Sequence, residues 1–442
     1  MQSRQSSISA GAVRRASLSL ASALTVFLLA LPARALQPLE VFVAAAGQHN
    51  PDALEAQANL ESGAAQSDLA LARVLPGITV RGSYTRNQYD ALIDFNGQQI
   101  TIVPLNQRDA VATLTVPLLD LAGFERTAAA RTSARAAKDQ LASTRLQVEA
   151  EVAQGYYQLV ANLSLVAASQ KALEVSRENL RLSQNRYDAG VAPQLDLDRA
   201  RADLELQNQQ VSAAALQVAL ASRALSSLSG VEPDAAAAAP LADDLHAEAP
   251  LPQAEENLER LPSVVAAAGN LRAAEQQLDA QRLTLVPTVT GNFFERATNA
   301  PGFTGHAFSW QAVLSLNWAL DFTIPAGLKV QSAARSAASA RELRARLAAR
   351  DAIHRQWQTV AASIARSRSA RAGFEAATQA ARSASNRYQA GTATQLELLQ
   401  AQRDAFAADV SRIQADADLV NARAQLRLAT GVSLLPKSEA VK

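Results

Sequence analysis

The sequence predicts a mostly α-helical chain of long antiparallel coiled-coil hairpins with four amphipathic β-strands, laid out as two copies of one unit. Three observations predict it. Asn185-Arg186-Tyr187-Asp188-Ala189-Gly190 returns as Asn386-Arg387-Tyr388-Gln389-Ala390-Gly391, and Asp120 with Asp321 and Gly230 with Gly431 keep the same step of 201 residues. Apolar residues recur every seven positions through long stretches free of proline. Four short segments alternate apolar and polar residues with period two. A repeat this long is a duplicated subdomain rather than a solenoid module.

Taken in order, residues 1–35 read as a secretory signal peptide. Arg14 and Arg15 form the charged start, Leu18 to Leu31 the apolar stretch, and Ala33-Arg34-Ala35 an A-x-A cleavage site. The competing reading, a membrane anchor, needs a longer apolar run, and Ala16-Ser17-Leu18 fits twin-arginine export poorly. The first unit then occupies 36–230. Pro51 to Leu75 reads as a helix stopped by Pro76, and a strand pair spans about 77–118. Ile78, Val80, Gly82 and Tyr84 face one way in it, and Thr79, Arg81, Ser83 and Thr85 the other; a loop is expected over Tyr89 to Arg108. A helical hairpin follows over 119–230, with Val152, Leu159, Val166, Leu173, Leu180 and Tyr187 in heptad register. Gly190 is its expected stop signal and Pro193 starts the return helix.

Residues 231–261 form the linker, with five consecutive alanines, prolines and a run of acids. The second unit, 262–431, repeats the order. A helix ends at Pro287, a strand pair covers about 287–318, and a hairpin covers 321–431 with Ile353, Val360, Ser367, Phe374, Ala381 and Tyr388 in register. The last strand is the clearest, with Phe308, Trp310, Ala312, Leu314, Leu316 and Trp318 on one face and Ser309, Gln311, Val313, Ser315 and Asn317 on the other. Residues 432–442 are a tail.

Composition narrows the function. The chain has 442 residues, 48% hydrophobic, with 42 basic against 41 acidic side chains, so nothing electrostatic points to nucleic acid. There is no cysteine, which excludes disulfides and a thioether-linked lipid. His49, His246, His306 and His354 are scattered without metal-ligand spacing, and no nucleophile-elbow or phosphate-binding motif occurs, so neither an enzyme, a metal site nor a cofactor is expected. After residue 35 no stretch reads as a transmembrane helix. Membrane insertion would therefore proceed through strands, whose ten residues with one apolar face have the length and pattern of barrel strands. An ordinary half-buried sheet has the same pattern. Four strands cannot close a barrel and open edges are not viable in lipid, so transmembrane strands would have to be pooled from several chains.

The duplicated turns Tyr187-Asp188-Ala189-Gly190…Leu195-Asp196 and Tyr388-Gln389-Ala390-Gly391-Thr392…Leu396-Glu397-Leu398-Leu399-Gln400-Ala401, with Leu75-Pro76 and Val286-Pro287 before the strand pairs, resemble the TolC-type outer membrane export ducts over essentially the whole mature chain. The resemblance implies a homotrimer with a 12-stranded β-barrel in outer membrane lipid and a periplasmic α-barrel. It further implies a periplasmic adaptor and an inner membrane transporter, either ABC-type or proton-driven, as partners, with small molecules or polypeptides as cargo.

It also places the periplasmic entrance at the helix turns. There Asp196 and Tyr388 match an aspartate and a tyrosine that help hold it closed, and Glu397 matches the first of two acidic constriction positions. Gln400 stands at the second, and Ala393 where the family has an arginine. This predicts one carboxylate ring instead of two; the plainer reading of Glu397 is a solvated residue at a helix start. Tyr187, Gly190, Gly391 and Thr392 belong to the turns, and Tyr84, Phe293, Trp310 and Trp318 are candidate membrane-interface aromatics. The rival architecture is a periplasmic coiled-coil adaptor or scaffold outside any membrane, a class that normally has one hairpin flanked by β-rich domains.

Overall fold

The computed structural model describes residues 36–95, 97–234 and 240–435; the expected signal peptide, the linker's alanines and residues 436–442 lie outside the described residues. Two short helices come first, α1 (Leu39–His49) and α2 (Pro51–Ala72). Asn50 separates them and caps α2, its side-chain oxygen accepting from the Asp52 N–H at 2.9 Å, with Pro51 in the first turn where no N–H is needed. Strand β1 (Gly77–Arg86) follows Pro76. Next come β2 (Ala91–Phe95) and β3 (Gln98–Val103), which pair antiparallel as a separate two-stranded sheet. The expected loop over 89–108 is thus corrected to a second hairpin. Its signal is the Asn96-Gly97 pair between alternating segments, with Gly97 at φ +78°.

Strand β4 (Asn106–Leu119) leads into α3 (Leu121–Asp188), a single helix of 68 residues, about 100 Å long at 1.5 Å per residue. Asp120 caps it by accepting from the Gly123 N–H at 2.7 Å. A Cβ at Gly123 would lie 2.2 Å from that carboxylate and 2.8 Å from Val74, so the junction of sheet and helix requires glycine. The return helix is α4 (Gln194–Ser229). The linker contains α5 (Leu251–Glu255) and a 3₁₀ turn, and α6 (Pro262–Leu283), β5 (Thr288–Thr298), β6 (Phe308–Asn317), α7 (Thr323–Gln389) and α8 (Gln395–Ala429) complete the second copy.

Helix lengths explain the packing. Helices α4 and α8, of 36 and 35 residues, run beside about half of α3 and α7, which have 68 and 67. The remaining halves are covered by α2 and α6. Within the far half the lateral order is α4–α3–α8–α7, one helix layer deep. Such a layer has no single central core, and burial is concentrated at the waist. There Phe42, Val43 and Ala46 of α1 meet Val148, Val152, Leu159 and Leu225, and in the second copy Leu258, Leu261 and Val264 surround Ile353. The waist is strapped by the linker: Trp357 Nε1 donates to Ala249 O at 2.8 Å and Arg371 to Asp243 O at 2.8 Å, while Arg423 reaches Asp243, His246 and Glu248.

One expectation about hydropathy is overturned. Helix α4 is long and apolar enough, by length and composition, to cross a membrane. Its alanines and valines raise the mean hydropathy, yet it is the return arm of a hairpin, with Leu197, Ala200, Ala214 and Leu225 buried. Its other side carries the exposed Leu206, Leu216 and Leu220.

Candidate functional site

Two regions merit a functional reading, the sheet and the pair of helix turns. The larger sheet has the antiparallel order β1–β4–β5–β6, so β1 and β6 are open edges. Its register aligns Val80, Ala112, Glu295 and Trp310 in one row and Ile78, Leu114, Phe293 and Ala312 in the next inward. Apolar side chains thus collect on one face, and in the single chain they are bare: Ile78, Val80, Trp310 and Leu314 each expose more than 70% of their surface. Trp310 and Trp318 stand about 27 Å apart along an extended strand at 3.4 Å per residue, close to the height of a barrel's apolar band. Phe293 stacks on Trp310 with ring centroids 6.0 Å apart, and Tyr84 lies outward of both, its hydroxyl donating to Asn106 at 2.8 Å. Trp318, just past β6, donates from Nε1 to Leu285 O at 3.0 Å. The opposite face is polar, with Thr115 donating to Asn292 at 3.0 Å and Arg296 paired to Asp109 at 2.6 Å.

At the far end both long helices stop in the same way. Gly190 and Gly391 take φ of +68° and +76°, conformations that a Cβ disfavours. The Gly190 N–H donates to Tyr187 O at 2.9 Å and Val191 N–H to Arg186 O at 3.0 Å; Gly391 and Thr392 repeat this at 3.1 and 2.8 Å. These are Schellman stops, satisfying carbonyls that the helix end leaves free. The Thr392 hydroxyl adds a bond to Arg387 O at 3.1 Å.

The helices that follow differ. Thr394 and Glu397 form a complete capping box on α8: the Glu397 carboxylate accepts from the Thr394 N–H at 2.7 Å, and Thr394 Oγ1 accepts from the Glu397 N–H at 3.3 Å. The bond from the Thr394 N–H, then that from its hydroxyl, hold the Glu397 carboxyl below the usual glutamate range. Pro193 occupies the matching N-cap of α4, where no side-chain bond forms. It therefore flanks the helix rather than filling its first turn.

The tyrosines differ as well. Tyr187 is 40% exposed, whereas Tyr388 is 5% exposed. Tyr388 lies under Arg186, whose guanidinium carbon is 4.7 Å from the ring centroid and whose Nη1 donates to Tyr388 O at 3.2 Å. Asp196 is not joined to Tyr388; it pairs with Arg199 at 3.5 Å. Glu397 and Gln400 share the exposed side of α8, where Gln400 reaches Asp404 at 3.4 Å. Arg186 is the residue sequence reasoning missed, because Arg387 repeats it in the second copy.

From these turns a polar seam runs up between the two hairpins. Asn179 donates to Gln402, and buried Asp203 accepts from Ser176 at 2.8 Å and from Arg403 at 3.0 Å. Ser183 and Gln395 are buried within the same stretch, and among the described residues their side-chain polar atoms have no hydrogen-bond partner. Among the described residues one group has metal-ligand proximity, Asp243, Asp244 and His246. The Arg423 guanidinium sits on it, 2.8 Å from both Asp243 and the His246 ring, so the charge there is already met by a side chain.

Comparison with known proteins adds to this geometry. The family model described as outer membrane efflux protein matches residues 43–231 and 254–432, one segment for each copy of the repeat. The chain is 28% identical over 267 residues to a probable efflux pump outer membrane protein, TtgC, of Pseudomonas putida, covering 59% of this chain and 54% of that protein. It is 27% identical over 387 residues to outer membrane protein OprJ of Pseudomonas aeruginosa, covering 80% and 76%. The chain spans about half the length of the first relatives it matches. A crystal structure of a membrane protein from Pseudomonas aeruginosa shares the fold, with a TM-score of 0.78, 22% identity, and coverage of 89% and 90%.

Proposed function

We propose, because this chain belongs to the outer membrane efflux protein family, that it is the outer membrane channel of a tripartite export system, assembled as a homotrimer. The observation that carries the proposal is the sheet: four strands with two open edges and one bare, largely apolar face in which Glu295 is the acidic residue. In lipid every backbone polar group needs a partner, so the edges must be closed by β1 and β6 of other copies. Three copies give twelve strands. The helix layer α4–α3–α8–α7 likewise has two free flanks, and on the α4 flank Leu216 and Leu220 are bare. Closing both layers about one axis makes a membrane barrel continued by a periplasmic tube.

In this reading the turns at Gly190 and Gly391 form the periplasmic entrance, where a periplasmic adaptor docks and an inner membrane transporter, ABC-type or proton-driven, supplies the energy. The names of the relatives favour small organic toxicants as cargo over polypeptides. The channel itself does no chemistry. The test is purification from outer membranes in detergent with mass measured by light scattering, followed by insertion into planar bilayers. Three chains per particle and discrete ion conductance are expected; a monomer in the periplasmic fraction with no conductance would instead indicate the soluble scaffold.

A further inference from the structure

We infer that Arg81 places a ring of fixed positive charge in the lumen of the β-barrel near its outer mouth, making that section of the pore attract anionic solutes. The inference rests on the channel reading above, and its argument is the register of the sheet. Arg81 belongs to the polar face: it pairs with Val111, which pairs with Arg296, which pairs with Ser309, one row outward of the row containing Trp310 on the apolar face. If the apolar face meets lipid, Arg81 points into the pore at the level where the apolar band ends.

The charges on that polar face do not cancel. Asp109 is the acid nearest in register to Arg81, and both Nε and Nη2 of Arg296 donate to it, at 3.0 and 2.6 Å. The Arg81 side chain makes no ion pair or hydrogen bond with a described residue. The polar face of β6, which would lie beside β1 of the next copy, contributes Ser309, Gln311, Val313, Ser315 and Asn317, so the closing strand brings no carboxylate either. Glu295 stands on the opposite, apolar face. Each protomer therefore leaves one net positive charge in the lumen, and a trimer three. Fixed charge of one sign in a low-dielectric channel raises the local concentration of ions of the other sign.

The test has two arms. The chain contains no cysteine, so Arg81→Cys and Val80→Cys each introduce a unique thiol. In trimers reconstituted into vesicles, a water-soluble sulfonate-bearing thiosulfonate is expected to label Arg81→Cys and not Val80→Cys. Equal labelling, or labelling of Val80→Cys alone, overturns the assignment of faces. In planar bilayers at about 10 mM salt, where the Debye length is about 30 Å, Arg81→Gln is expected to lower the chloride-to-potassium permeability ratio roughly twofold or more. Arg81→Lys should preserve the ratio, and the difference should vanish near 1 M salt, where the Debye length is about 3 Å. A conducting Arg81→Gln trimer with an unchanged ratio at low salt overturns the charge ring and leaves the channel standing. Absence of conductance from the unaltered chain overturns the channel and the ring with it.

Discussion

In the proposed channel Arg186→Ala is expected to loosen the entrance at the helix turns, and the size of the effect can be worked from the contacts it removes. The guanidinium stacked on a buried tyrosine ring at 4.7 Å contributes about 1 kcal/mol or somewhat more, because one partner is desolvated. The bond from Arg186 Nη1 to Tyr388 O at 3.2 Å involves a charged donor and adds about 1.5 kcal/mol at the low end. Solvent reaches part of Arg186, so we take about 2 kcal/mol per protomer for the pair.

The pair ties the last turn of α3 to that of α7, two helices of different hairpins, so outward movement of one hairpin against the other breaks it. If the three protomers move together, about 6 kcal/mol is lost, a shift of about 10⁴ in the ratio of closed to open channels. Single-channel recording gives the open fraction directly. The natural chain should conduct in brief, infrequent openings, Arg186→Ala should be open much of the time, and Arg186→Lys, which keeps the charge but not the planar stack, should fall between. A double-mutant cycle with Tyr388→Ala should return about 1 kcal/mol of coupling, the stacking part alone, since the backbone carbonyl survives the tyrosine's removal. If Arg186→Ala leaves both open fraction and coupling unchanged, the pair does not hold the entrance.

Three further outcomes follow from the geometry. The Glu397 carboxyl is held below its usual value of about 4.3 by the capping box, so its contribution is present above that value and lost as pH falls through the depressed one. Glu397→Gln keeps an acceptor but does not titrate, so the gap in thermal midpoint between the two chains should narrow on going from pH 7 to pH 3. Leu159 is fully buried at the waist; Leu159→Ala should cost about 2–5 kcal/mol, read as a lower denaturation midpoint with unchanged helix content. Arg423→Ala removes the guanidinium that gathers Asp243, His246 and Glu248, and limited proteolysis should then cut between residues 240 and 250 well before the helices.

Much of this fold is legible in the sequence because two periods are strong. Heptad spacing finds Val152, Leu159, Ile353 and Val360, all fully buried, and alternation separates the two faces of β6 residue by residue. Heptads fail where the partner of a long helix changes or is another chain: Val166 and Leu180 are only half-buried, and Tyr187 is exposed. The hairpin of β2 and β3 was readable at Asn96-Gly97 but competes with the prior that a long connection between strands is a loop. Arg186 was not readable at all. A repeat makes Arg186 and Arg387 equivalent in sequence, and only the lateral order α3–α8–α7 puts one of them over a ring.

That inequality bears on what duplication does in such a chain. Two copies of a hairpin would form a layer by repeating one contact, so any difference between equivalent positions is information about the seam between them. Here the differences cluster at one end. Tyr388 is buried where Tyr187 is exposed, a complete capping box stands on α8 where Pro193 leads into α4, and Asp203 is buried and paired with Arg403 where its counterpart Asp404 is exposed. Toward the waist, by contrast, both copies use aliphatic contacts, Val152 and Leu159 in one and Ile353 and Val360 in the other. Aliphatic contacts are non-directional and tolerate little separation before water enters. Hydrogen bonds and ion pairs at a partly solvated seam exchange for water at a net cost of only about 1 kcal/mol each. In the proposed channel, a layer that is apolar at its waist and polar toward its turns would hinge at the first and part at the second. The Arg186–Tyr388 pair lies at the parting end, together with these polar links.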